Sequence, residues 1–253
     1  RTIESVIAQT SGDFEYIVID GGSSDGSLDV INEFAEHISY WISEPDNGIY
    51  QAMNKGIIAS NAEYCQFLNS GDILISPTTT EKMLSSLPRG AQIYYGNIIQ
   101  KLKTGKIRIR AFARQEPTLL DFYFETLNHS PTYIYRSLFD KYGLYDENLK
   151  IVSDWKWFLQ VIGVAGIVPI YTNIDVALFD MYGVSNLNKT LLKFERRKVL
   201  EEVLSLPVLK SFDQNAIFID QMRRISRYKL VYKFVWLLER TLFKFEKWFP
   251  GRS

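Results

Sequence analysis

Cysteine, histidine, net charge and long apolar runs are all scarce in this sequence, and each shortage removes a class of function. The one cysteine, Cys65, sits inside an apolar stretch. That excludes an internal disulfide and fits a reducing, cytoplasmic compartment. Two histidines, His37 and His129, together with that thiol cannot build a zinc site of the usual spacing. Neither a P-loop nor a G-x-G-x-x-G occurs, which argues against nucleoside triphosphatases and dinucleotide enzymes. Formal net charge is +0, so no global field recruits nucleic acid. The longest apolar run, near Val161 to Ile170, is too short to span a bilayer and is broken by Gly163, Gly166 and Pro169. No signal peptide is read at the start, where Arg1 already falls in a helical pattern, and an upstream segment is expected.

What is present is an alternating pattern. The 253 residues, 46% hydrophobic and 23% charged, suffice for one sizeable α/β domain with an appendage. Ile3, Val6 and Ile7 have helical spacing, and Phe14 to Ile19 is a continuous apolar run suited to a buried parallel strand. That run ends at Asp20, before the glycine loop Gly21–Gly26 and a helix near Ser27. Further strands are expected at Ile38–Ile42 and Tyr64–Leu68, with helices over Ile49–Ile57 and from Pro77 to about Leu87. Such alternation predicts a mostly parallel sheet flanked by helices. Beyond it come a β-hairpin, Ile93–Lys101 with Ile107–Phe112 around Lys103–Lys106, and a strand at Thr132–Tyr135. A helix capped by Ser153 follows, then a strand over Ile167–Phe179. A domain over 1–183 and a helical extension over 184–253 are expected.

Four acids stand out. Asp20, Asp46 and Asp72 each fall at or near a strand end, where open α/β sheets bind ligands, and Asp154 opens a downstream helix. An acid is a poor phosphate ligand, since like charges ~4 Å apart repel by roughly 4 kcal/mol at an effective dielectric near 20. A divalent cation between them removes that conflict. Carboxylates also suit base N–H groups and ribose hydroxyls, and a nucleotide-sugar site needs all three partners. A transferase with a metal-bound diphosphate leaving group needs only one base, whereas a glycosidase needs a second carboxyl group to protonate its leaving group. The bland alternatives are that Asp72 caps a turn and that Asp154 stabilises its own helix. A separate pattern, Gly22-Ser23-Ser24-Asp25-Gly26, spells the G-x-S-x-G nucleophile elbow with Ser24 as nucleophile and His37 or His129 as its base. Against it, Ser24 falls several residues past the strand end. Ser23, Ser24 and Asp25 equally suit capping of the next helix.

Several stretches in order, Thr2-Ile3-Glu4-Ser5-Val6, Val18-Ile19-Asp20-Gly21-Gly22-Ser23-Ser24-Asp25-Gly26-Ser27, Asp46-Asn47-Gly48-Ile49-Tyr50 with Ala52-Met53-Asn54-Lys55-Gly56, and Leu68-Asn69-Ser70-Gly71-Asp72, resemble family 2 glycosyltransferases over about residues 1 to 180. The bacterial members that build capsule, O-antigen and colanic-acid-type polysaccharides look most similar. The resemblance implies a GT-A fold, an inverting mechanism, a UDP- or GDP-sugar donor and a saccharide or lipid-linked acceptor. Asp20 then matches the acid that helps hold the base, and Asp72 the acid that holds Mn2+ or Mg2+ against the diphosphate. Asp154 matches the catalytic base. Asp46 and Asn54 fall in the segment lining the nucleotide pocket, and His129 matches a position near the donor phosphates, though it equally suits a hydrogen-bonded core histidine. Three departures accompany the match. Gly21 stands where many members carry a second Asp, Gly71 replaces the first acid of the metal motif, and the family's first strand is expected upstream of Arg1.

From Arg223 the tail interleaves basic residues such as Arg224, Arg227 and Lys229 with Leu230, Val231 and Phe234. A basic amphipathic helix over 221–253 suits a membrane interface, at the inner face of the plasma membrane. The competing reading packs its apolar side on the catalytic domain or on a second subunit, giving a homo-oligomer. Three function classes follow: an inverting sugar transferase, a catalytically silent nucleotide- or carbohydrate-binding relative, and a serine hydrolase.

Overall fold

The computed structural model describes residues 1–101, 107–112, 116–179, 188–226, 233 and 236–237. The expected hairpin turn at Lys103–Lys106, the boundary near residue 183 and most of the basic tail lie outside these residues. Two compact units result, Arg1–Val203 and Leu204–Ser253. Among the described residues no helix is long and apolar enough to cross a membrane.

The first unit opens with α1 (Thr2–Ile7), followed by β1 (Ile17–Asp20), α2 (Ser27–Glu33), β2 (Tyr40–Ser43) and α3 (Ile49–Ala59). β1 and β2 pair in parallel, with Ile17 opposite Tyr40 and Asp20 opposite Ser43, as a helical crossover between two strands requires. Next come β3 (Tyr64–Cys65), β4 (Ile73–Leu74), α4 (Thr79–Ser85), β5 (Ile93–Lys101) and β6 (Ile107–Arg110). After them run α5 (Leu119–Phe124), β7 (Thr132–Tyr135), α6 (Ser137–Tyr142) and α7 (Ser153–Phe158), the last continuing as a π-helical turn over Leu159–Val164. β8 (Ile170–Phe179) and α8 (Lys189–Val203) complete this unit, and α9 (Leu206–Ser226) belongs to the second.

The larger sheet has six strands in the order β3-β7-β5-β8-β4, with β6 also on β5. β5 and β8 run parallel, and the remaining pairs in this sheet are antiparallel. The larger sheet is thus mixed, and two of its antiparallel pairs, β3–β7 and β4–β8, join segments far apart in the chain, whereas the smaller sheet is parallel. β5 is the buried centre: Ile93, Tyr94 and Tyr95 are almost wholly shielded. At Gly96 the backbone of β8 comes so close that a Cβ would sit 2.3 Å from the Ile174 carbonyl oxygen, and the β5–β8 register shifts there.

Two sequence expectations change in detail. The strand expected over Tyr64–Leu68 pairs only at Tyr64 and Cys65. Ser153 does not cap α7: Val152 holds the cap position, and the buried Ser153 hydroxyl has no partner. Both strands that follow the N-terminal helices present an open edge among the described residues, since β1 pairs only with β2 and β3 only with β7.

Helix α1 explains its own sequence motif. Thr2 Oγ1 accepts the Gly71 N–H (3.0 Å) and donates to the Asp72 carbonyl (2.8 Å), while Ser5 Oγ accepts the Leu74 N–H (3.2 Å). These two hydroxyls pin the turn that carries Asp72. Thr2→Val, which keeps the shape but removes both bonds, should lower stability by about 1–2 kcal/mol. Urea unfolding of the two chains measures it, and an unchanged midpoint would contradict this role.

Candidate active site

Asp20 ends β1 with its carboxylate folded into its own loop. Oδ2 accepts the Gly22 N–H (3.1 Å), the Ser23 N–H (2.9 Å) and the Ser43 hydroxyl (2.6 Å), and Oδ1 accepts the Ser23 hydroxyl (2.5 Å). Burial works to raise its pKa, but the donors from Ser23, Ser43 and Gly22 outweigh it and hold the carboxyl down at about 2. Asp20 therefore builds the loop Gly21–Ser23 as an ionised cap. Beside it, Asp46 accepts the Gly48 N–H (2.9 Å) ahead of α3. A Cβ at Gly21 would come within 2.5 Å of Asp46 Oδ2. The glycine is thus what lets the Asp46 carboxylate lie against this loop.

The turn Asn69–Asp72 leads to a second, more buried group. Asp72, 2% exposed, accepts the Ser130 hydroxyl on Oδ2 at 2.7 Å. Next to Ser130, His129 bridges outward: Nε2 lies 2.9 Å from Asn69 Nδ2, and Nδ1 lies 2.9 Å from Asp154 Oδ2. Nδ1–H donates to Asp154, while the sense of the Asn69 contact depends on whether Nε2 is protonated. Burial opposes protonation of His129, yet its hydrogen bond and charge contact with Asp154, helped by Asp72, raise its pKa above the ordinary value. The other Asp154 oxygen, Oδ1, lies 2.9 Å from the Tyr50 hydroxyl, which is also 2.6 Å from the Ile151 carbonyl. One phenolic proton is shared between these two acceptors. Desolvation first, and then the Asp154 charge, push the Tyr50 pKa well above normal.

A cleft of about 1020 Å³ runs between β1 and β3. Asp20 and Asp46 line it, as do Asn69 and Ser70, with Ile17, Ile19, Phe67 and Leu68 supplying apolar wall. Asn69 therefore belongs to both groups, facing the cleft and holding His129. Asp72, His129 and Asp154 form the buried network behind it. Asn54 joins neither group. Its amide donates to the Tyr145 carbonyl (2.9 Å) and Glu147 Oε1 (2.9 Å) and accepts the Tyr145 N–H (2.9 Å), tying α3 to that segment.

Among the described residues no three His, Cys, Asp or Glu side chains cluster as a metal cage. One carboxylate, Asp72, supplemented by diphosphate oxygens, is nevertheless a sufficient protein donor for a hard cation. The residues fit an ion shared with a substrate and do not fit one bound by protein alone. The burial of Asp72 means the turn must shift to present that carboxylate. Ser24 is exposed, and no hydrogen bond joins it to His37 or His129, whose ring is held by Asn69 and Asp154. The serine-hydrolase arrangement is absent, and Asp25 does the capping, accepting the Ser27 N–H at 3.1 Å. Tyr50, Asn69 and Ser130 were not singled out by sequence reasoning, although Tyr50 and Asn69 fall inside quoted motifs and Ser130 adjoins His129.

The profile of glycosyl transferase family 2 matches residues 1–147. An uncharacterized glycosyltransferase of Mycobacterium tuberculosis is 30% identical over 192 residues, covering 74% of this chain and 71% of that protein. A PGL/p-HBAD biosynthesis glycosyltransferase of Mycobacterium bovis is 26% identical over 186 residues, covering 72% and 71%. Among solved structures, Staphylococcus aureus TarS 1-349 in complex with UDP-GlcNAc superposes with a TM-score of 0.57 at 15% identity, covering 89% of this chain and 74% of that one. GalNAc-T7 with UDP, GalNAc and Mn2+ gives 0.55 at 14% identity, over 79% and 44%. These likenesses show a GT-A-type α/β fold.

The His129–Asp154 contact carries a pH signature. A histidine whose folded pKa is raised adds stability that is fully present below the unfolded value of 6.5 and is lost as pH rises through the folded value. His129→Gln should therefore lose more stability near pH 5.5 than near pH 8.5. Urea unfolding at the two pH values checks this, and an equal loss at both would show that the pair is not charged in the folded state.

Proposed function

The chain belongs to glycosyl transferase family 2 and is a glycosyltransferase, and from that premise we propose that it moves a sugar with inversion from a nucleoside-diphosphate sugar to an acceptor hydroxyl during cell-surface polysaccharide synthesis. The donor class is supported by the UDP and UDP-GlcNAc that TarS binds. The acceptor class is a saccharide or a lipid-linked sugar. One observation carries the reading: the carboxylates of Asp72 and Asp154 are held by consecutive residues of one loop, Ser130 and His129. Two acids far apart in sequence are thereby tied to one loop.

In this reading the reaction is a single in-line displacement. Asp154 accepts the proton of the acceptor hydroxyl as that oxygen bonds to the anomeric carbon, and the bond from that carbon to the diphosphate breaks. His129 and Tyr50 hold the two Asp154 oxygens, so the base meets the hydroxyl in a fixed orientation. Asp72 would hold Mn2+ or Mg2+, which when bound offsets the charge of the diphosphate. Asp20 shapes the loop that, with Asp46, lines the donor side of the cleft.

Asp154→Asn should lower turnover by ~10²–10⁴-fold with little change in donor KM. Asp72→Ala should instead raise donor KM and abolish cation-dependent thermal protection by UDP or GDP. A panel of UDP- and GDP-sugars, scored first by thermal shift and then by nucleoside-diphosphate release, provides both readouts. Full turnover in Asp154→Asn would sink the base assignment.

A further inference from the structure

Helix α8 lies beyond the stretch matched by the family profile, which ends at residue 147, yet it holds the backbone shortly before Asp154 and the side chains of the two residues after it. Glu195, 4% exposed, accepts the Lys150 N–H on Oε1 (2.7 Å) and the Ile151 N–H on Oε2 (2.9 Å). Ile151 is the residue whose carbonyl meets the Tyr50 hydroxyl, so the same short segment sets Tyr50 against Asp154. On the other side, the Arg196 guanidinium stacks 4.4 Å from the centre of the Trp155 ring. Its Nη2 donates to the Phe122 carbonyl (3.0 Å) and the Tyr123 carbonyl (3.2 Å), and Trp155 Nε1 donates to that same Phe122 carbonyl (2.8 Å). One residue on, Lys156 donates to Glu202 of α8 at 2.6 Å and to Asp146 at 2.9 Å.

We propose that Glu195 and Arg196 are positioning residues for the transfer reaction, fixing the chain immediately before and after Asp154 so that its carboxylate stays on His129 and Tyr50. The proposal rests on the reading of Asp154 as the base. Its physical basis is the arrangement of buried charge. A carboxylate that takes two successive backbone N–H groups through both oxygens makes a rigid two-point contact of charge-assisted hydrogen bonds. Replacement by an apolar residue removes both contacts and leaves the buried Ile151 N–H unpaired. Arg196 is largely buried, and that burial lowers its pKa to about 10 against the opposing pull of Asp154 and Glu125. It remains a cation at neutral pH, stacked beside the base. No residue of α8 lines the cleft, and its contacts near the base run to residues 150, 151, 155 and 156.

The test uses the whole chain and two internal reporters. Glu195→Gln keeps one acceptor and turns an NH₂ toward the other N–H, which removes one of the two contacts. Arg196→Met keeps an apolar stem on Trp155 and removes the carbonyl contacts. Each should lower nucleoside-diphosphate release by ~10- to 100-fold, the scale of a base displaced by about an ångström, with donor KM unchanged. In the Asp154→Asn background the same changes should cost less than about twofold, because residues that act through one group are not additive. A purely structural role would cost the same in both backgrounds.

The chain has two histidines, and their ring ¹H–¹⁵N signals give a readout that needs no substrate. Signals of His129 should move in Glu195→Gln in the direction they move in Asp154→Asn, while those of the exposed His37 stay put. Lower melting temperature with unmoved His129 signals would overturn the proposal. If Asp154→Asn itself kept full turnover, the base reading would fail, and the His129 signals would still decide whether α8 places that carboxylate.

Discussion

The contact between Asp154 and His129 is the constraint on which the rest of the site depends. An acid and an imidazole, 14% and 12% exposed in their side chains, are stable below the surface only if each has a partner, since an unpaired buried charge costs several kcal/mol. His129 in turn requires Asn69 on its second nitrogen, and Asp154 requires Tyr50 on its second oxygen. The network closes with every ring nitrogen and carboxylate oxygen of this pair engaged. A carboxylate held this way loses little orientational freedom when a partner arrives, which suits the base role proposed for Asp154.

Around that contact the fold gathers segments from most of the first unit. Helix α1 pins the Asp72 turn through Thr2 and Ser5, and Ser130 takes the Asp72 carboxylate two residues before β7 begins. An aromatic group of Phe67, Phe139, Tyr145 and Trp157 packs edge-on and tilted beside it, with Phe139 and Trp157 ring centres 4.6 Å apart. These rings are rigid and apolar, so they limit both rearrangement and water entry. Helix α8 adds its grip from the far end of the unit. The same tie gives Glu195 a reason to be buried although it is an acid on a helix with many exposed charges.

The cleft and the buried network differ in kind. Asp20 and Asp46 line an open groove where a ligand can enter, whereas Asp72 and Asp154 sit behind it with their partners already in place. Asn69 spans the two, so a ligand that moves Asn69 also disturbs His129 and through it Asp154. Asn54 turned out to serve the scaffold, because its buried amide finds the Tyr145 backbone and Glu147 before it can reach the groove.

Some of this was legible in the chain alone. The continuous branched run into Asp20, the glycine loop after it and the polar tip Asn69-Ser70-Gly71-Asp72 announced strand ends with acids on them, since periodicity and turn chemistry are local properties. The exact strand at Thr132–Tyr135 followed for the same reason. The mixed pairing of the sheets was not legible, because strand direction depends on where distant segments meet. Nor was the role of Glu195, which reads as one more helix acid until it is brought across to residues 150 and 151. Sequence by itself determined which residues could do chemistry and where the strands must stop. Only the tertiary structure decided which acids share a loop, which are tied up in scaffolding and which helix grips the segment around Asp154, because hydrogen-bond partners tens of residues apart are chosen by packing.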